Sequence, residues 1–134
     1  MIDYFKSCVS LNMQIQIILT SIVLGAMLFF SFVVAPIIFK VLNEKQARIF
    51  IRQIFPFYYS FNLSLLLIIL FYLSYRTLIN YDFYLIATTA FLFALSLFIL
   101  MPRINDARDQ KNEKKFKRLH ATSVIINFVQ IFFL

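Results

Sequence analysis

The chain has little of what a soluble enzyme is usually built from. Charged residues fill only 14% of its 134 positions, against about 25% in ordinary globular chains. One cysteine, Cys8, excludes a disulfide framework and any multi-thiolate metal site. One histidine, His120, excludes a His-only metal cluster within a single copy. One glycine, Gly25, leaves no glycine-rich loop to cradle a phosphate. No pair of carboxylates falls inside an apolar stretch, and no nucleophile stands beside an evident base. These absences point away from an enzyme, and away from a resident metal or cofactor.

What is present is apolar. Hydrophobic residues make up 62% of the chain and phenylalanine occurs 18 times, where globular domains have about 45–50% apolar residues. Mean hydropathy is +0.84. Small domains keep a large share of their surface in contact with solvent. A chain of this length therefore has too little interior to hide so much apolar surface from water. Its solvent is lipid.

The charge map divides the chain. No charged residue occurs between Lys6 and Lys40, between Arg52 and Arg76, between Asp82 and Arg103, or after His120. A helix rising about 1.5 Å per residue needs about 20 mainly apolar residues to cross the hydrocarbon core. Stretches 15–39, 54–75 and 83–101 meet that length. Stretch 119–134 is short and crosses only with little tilt or local thinning of the bilayer. The first stretch is too long for the apolar core of a signal peptide, about 7–15 residues. The reading is all-α: an integral membrane, antiparallel four-helix bundle. It forms a single transmembrane domain over 1–134, with helices near 13–40, 54–76, 83–102 and 116–134. No linker and no internal repeat is evident.

Orientation follows from the cations. All of the 13 Lys and Arg except Lys6 and Arg76 lie in the segments joining helices 1 to 2 and 3 to 4. The positive-inside rule puts both segments in the cytoplasm and both termini outside. Topology thus accounts for the net charge of +7 without nucleic acid. The partner that segment 103–118 suits is the lipid bilayer, through anionic headgroups. The Lys/Ile/Phe/Asn-rich composition fits a bacterial inner membrane. Segment 103–118 can be helical, with Glu113 and Lys117 spaced as an (i, i+4) pair.

Helices in lipid associate through small residues and hydrogen-bonded polar ones. Ser21 and Gly25 share a face of helix 1, as Ala87, Ala90 and Ala94 do on helix 3, so Gly25 is read as a packing residue. Pro36 has no amide hydrogen for the carbonyl of Phe32 and should kink or end helix 1. Pro56 is expected in the first turn of helix 2, where proline is tolerated. Pro102 is expected where helix 3 leaves the bilayer.

The opening of helix 4 carries the most information. His120, Ser123, Asn127 and Gln130 recur at spacings of three, four and three, which sets them on one helical face. An intramembrane polar stripe should point at the bundle interior, toward Ser21, Asn62, Ser64, Thr88, Thr89 or Ser96. Near the start of that helix, Asn105, Asp106 and Asp109 share the face of helix 3 that carries Pro102. A small polar chamber closed by Asn105, Asp106 and His120 is the expectation, with solvated carboxylates offsetting Arg103, Arg108 and Lys111 as the alternative. Met13, Met27, Met101 and Cys8 are soft ligands in type, but scattered.

Four signatures together resemble a known membrane family. They are Gly25 running into Ala35-Pro36-Ile37-Ile38-Phe39, then Phe55-Pro56-Phe57-Tyr58-Tyr59, then Pro102-Arg103-Ile104-Asn105, and Phe116 with His120, Ser123 and Asn127. Nearly the whole chain resembles, in order, the family called domain of unknown function 4149, which includes transmembrane protein 205-like proteins. That resemblance implies a compact four-helix membrane protein and carries over no activity. The family is distantly similar to four-helix haem and copper proteins of the copper-resistance D type. This chain departs from them in having one histidine, so bis-His haem ligation within one copy is excluded.

Two functional readings follow. The first is a non-catalytic membrane component or a small oligomeric transporter, alone as a homo-oligomer or as a subunit of a larger complex. The second is a haem- or copper-binding redox protein using His120.

Overall fold

A computed structural model describes the backbone of residues 2–134 and the side chains of residues 13–134; the side chains of Lys6 and Cys8 lie outside the described residues. Four rods run antiparallel, and no strand occurs among the described residues. Helix α1 is a composite of Ile2–Phe29, a π turn at Phe30–Val34, and Ala35–Val41. Helix α2 is Glu44–Tyr75. Helix α3 is Tyr81–Leu95, a second π turn at Ser96–Leu100, and Met101–Asp109. Helix α4 is Glu113–Phe133. Met13–Val41, Glu44–Tyr75 and Tyr81–Asp109 are long and apolar enough to cross a membrane. Helix α4, whose first two turns are cationic, is not among them.

Asparagine sets the start of three rods. Asn43 accepts from the Gln46 amide at 2.9 Å while Gln46 accepts from the Asn43 amide at 3.3 Å, a capping box. Asn80 accepts from the Phe83 amide at 3.1 Å and Asn112 from the Lys115 amide at 3.0 Å. Glu44, Asp82 and Glu113 follow in the first turns, where the helix dipole favours an anion. The Asn43 cap starts α2 at Glu44 rather than near residue 54. The cations from Lys45 to Arg52 are therefore helical, and so are those of Met101–Asp109. One expectation is corrected as a result. Pro56 lies inside α2, not in its first turn, and leaves the Arg52 carbonyl without its helical donor.

Pro36 and Pro102 share a different solution. Each sits two residues beyond a π turn whose last bond is five residues long: the Ala35 amide donates to the Phe30 carbonyl and the Met101 amide to the Ser96 carbonyl. The widened turn absorbs one extra residue. Each proline then enters the first turn of a new α segment, where its missing amide costs nothing. Neither proline ends its rod; α1 continues to Val41 and α3 to Asp109. The two hairpins thus repeat one plan: a π turn, a residue, a proline, a short helical end, then an asparagine cap followed by glutamate.

The core is narrow. Val23 and Met27 on α1 meet Tyr59, Leu66, Ile69 and Leu73 on α2 and Ile86, Ala90 and Phe93 on α3. On α2 the buried positions alternate in steps of three and four, giving one apolar seam. Outside it the surface stays greasy: Phe57 and Phe71 are each 76% exposed. Exposed Thr88 and Thr122 close their hydroxyls onto carbonyls four residues back, at 2.8 and 3.0 Å. In lipid a polar group must be satisfied within the protein, and these are. Gly25, read from the sequence as a packing residue, makes no such contact within this chain. It faces outward, nothing in the chain lies within 4 Å of a Cβ built there, and neighbouring Ser21 is also exposed. Ala90 is buried and Ala87 and Ala94 half-buried, so the small-residue contact within this chain lies on α3.

Candidate functional site

Between the hairpins, at the end where the two Asn-capped bends lie, the rods part around a cavity of about 680 Å³. All four helices line it. Both π turns border it: Phe30 and Ser31 come from the first, and Met101, Ile104 and Asn105 follow the second.

The floor is polar. The Asn127 amide nitrogen on α4 donates to Ser31 Oγ at 3.0 Å, and the Tyr58 hydroxyl on α2 donates to Asn127 Oδ1 at 3.3 Å. One asparagine therefore ties three helices. Aromatic rings brace it: Phe30 stacks on Tyr58 at 4.3 Å, and Phe55 meets Phe30 edge-on at 5.2 Å.

The mouth is ionic. Arg108 binds Glu44 at 2.9 Å and Glu113 at 3.3 Å, joining the glutamates that open α2 and α4. Its guanidinium also covers the Phe116 ring, 4.4 Å from the centroid, a cation–π contact. Arg52 pairs with Asp109 and donates to the Asn105 carbonyl at 3.2 Å. Arg48 reaches Glu44 at 3.4 Å.

The polar stripe of α4 divides. His120, Ser123 and Asn127 line the cavity, whereas Gln130 is buried beyond it and donates to the Thr89 carbonyl at 3.4 Å. His120 is exposed, with its ring stacked on Phe116 at 5.7 Å. Asn105 reaches the cavity as His120 does; Asp106 is exposed and does not line it. Glu113 takes Arg108 as its ion-pair partner. Of the partners expected for the stripe, the Thr89 backbone serves Gln130. Ser21, Ser64 and Thr88 are exposed, and Asn62 turns back to the Tyr58 carbonyl at 2.8 Å. Asn62 Oδ1 is buried with no partner.

Sequence reasoning misses Ser31, Tyr58 and Arg52. Ser31 is hidden in a phenylalanine-rich run, and Arg52 reads as a topology charge. Tyr58 had a signal, since the 55–59 aromatic segment stands out. The soft ligands do not converge. Met27 is buried in the core, Met13 is exposed and Met101 lines the cavity. Among the described residues no group of three or more His, Cys, Asp or Glu is placed to hold a metal. The cavity has apolar walls, a hydrogen-bonded polar floor and cations at its rim.

Comparisons with known proteins place this chain beside others of unassigned activity. A family model described as "Domain of unknown function (DUF4149)" matches residues 18–113, from α1 to the first residue of α4. The cavity residues of α4 lie beyond that match. An "Uncharacterized protein" of Aquifex aeolicus (strain VF5) is 32% identical over 122 residues, covering 85% of this chain and 84% of that one. No solved structure matches.

Proposed function

This chain belongs to the DUF4149 family of membrane proteins, and on that premise we propose that it is a non-catalytic membrane component that binds a small molecule between its two hairpins. The observation that carries the reading is the cavity of about 680 Å³ lined by all four helices, a volume typical of small-ligand sites. The basic flank where it opens is cytoplasmic in this reading, and both termini lie outside, because the cations gather at the two Asn-capped bends. Segment 103–118 rests on anionic headgroups of a bacterial inner membrane. The site serves a binding subunit or a small oligomeric transporter, whose hairpins repeat one plan about a shared cavity as in transporters built from parallel repeats.

The test is accessibility. In a chain with Cys8 replaced by serine, Ser123→Cys should react with a membrane-impermeant maleimide applied from the basic flank. Lipid-facing Ile22→Cys should not. Filling the floor with Ser31→Trp should protect Ser123→Cys. Equal labelling from both sides, or none, would overturn the reading.

A further inference from the structure

The lining of the cavity reaches the exposed surface of α1 and α4 as well as its mouth. Helix α4 packs less on Ala35–Val41 than on Ile2–Phe29 of α1, and the stretch beyond the π turn between the two rods is read as a slot. Phe32 and Phe39 flank the slot on α1, and Val124 and Phe128 flank it on α4. Each lines the cavity and each is exposed. In a bilayer, exposed apolar edges of this kind face acyl chains. At the ionic end the same cavity touches three arginines and one acid, Glu44. Arg52 uses Nη2 for both Asp109 and the Asn105 carbonyl, and Arg48 uses Nη2 for Glu44. The Nη1 and Nε groups of both make no hydrogen bond among the described residues, and a guanidinium has five donors to give.

An amphiphile would meet these features in order: a slot at acyl-chain depth, an apolar chamber, then a fork matched to a planar anion. We propose that the cavity takes up, through the slot, one long-chain carboxylate from the adjacent leaflet. Its hydrocarbon lies among Phe32, Phe39, Val124 and Phe128, and its headgroup on Arg48 and Arg52. The inference deepens the binding reading above and rests on it. A cavity of about 680 Å³ suits one chain, so a single-chain ligand fits where a diacyl lipid would leave its second chain outside.

The test uses the full chain in nanodiscs of phosphatidylcholine, with radiolabelled oleate as probe and oleyl alcohol as the uncharged control. Oleate should bind saturably, one per chain, and oleyl alcohol should bind about tenfold more weakly, the loss expected when a charge-assisted pair is removed. The double variant Arg48→Ala, Arg52→Ala should weaken oleate by at least about tenfold while leaving oleyl alcohol unchanged. Val124→Trp narrows the slot without touching an arginine and should lower oleate stoichiometry in protein that remains helical and monodisperse. Equal affinity for acid and alcohol, unchanged binding in both variants, or saturable binding of phosphatidylglycerol alone would each overturn the proposal. If Ser123→Cys labels as expected but oleate does not bind, the ligand class fails and the cavity reading stands. If the labelling fails, the cavity reading fails first.

Discussion

Asn127 reaches across the bundle to Ser31, 3.0 Å from amide nitrogen to hydroxyl, and the residue it meets lies inside the π turn of α1. The widened turn thus presents a hydroxyl to a polar partner on a helix remote in sequence. Because Asn127 also accepts from Tyr58, a double-mutant cycle should show coupling. Asn127→Ala with Ser31→Ala should give a coupling of about 0.6 kcal/mol, and no more than about 1.7 kcal/mol, by denaturant unfolding in mixed micelles. Zero coupling would mean that the contact is incidental.

The π turns make deletion informative. Removing Val33 should let residues 30–34 relax into an α turn and keep both flanking segments in register. Removing Ile22 from regular helix should rotate every residue on one side of the deletion. The first variant is expected to remain folded and monodisperse with a smaller cavity, and the second to aggregate, as read by size-exclusion chromatography.

Glycine stands where the fold does not need it and is missing where it would help. Thr77 and Lys111 both have φ of 54° at helix ends, a conformation that costs an L-residue about 1–2 kcal/mol. Thr77→Gly and Lys111→Gly should be neutral to stabilising, by up to about 1 kcal/mol. Gly25→Ala should stabilise by about 0.5–1 kcal/mol, since nothing occupies the space beside it. Thermal unfolding reads all three. Destabilisation by Gly25→Ala would mean that this face is packed against another copy.

Asn62 is buried with an unpartnered oxygen. Replacement by an apolar residue of similar shape removes that desolvation cost, so Asn62→Leu should raise stability by about 1 kcal/mol. A loss of stability would point to a donor, such as an internal water, on Oδ1.

Topology is checked with paired reporters. Alkaline phosphatase fused after Leu134 should be active and green fluorescent protein dark there, with the reverse at a fusion after Asn43. The opposite pattern would invert the membrane orientation and place the cavity mouth outside the cytoplasm.

The helical character of the two charged segments was only half legible. Residues 103–118 read as helical from charge spacing, yet residues 44–53 read as a loop because cations suggested an aqueous bend. The Asn43 capping box was the overlooked signal, and it also explains why Pro56 was misplaced. The stripe on α4 was legible as a face, but its depth was not. Thr89 is among the partners the spacing suggests, but only the packing of α3 decides that it is Gln130 that meets it while His120, Ser123 and Asn127 line the cavity. The repeated plan of the hairpins is only partly written in residue types: proline, asparagine and glutamate recur in order, but the widened turn before each proline is backbone geometry that no residue type announces.

Composition and charge alone decide that this chain suits lipid, that three of its helices are long and apolar enough to cross a membrane, and which end of the bundle is basic. Those properties follow from transfer free energies, which add along the chain whatever its partners are. The cavity, the slot beside α4 and the bridge from Asn127 to Ser31 belong to tertiary structure. They depend on where two π turns displace the rods, and on which side chains from distant segments then come within hydrogen-bond reach.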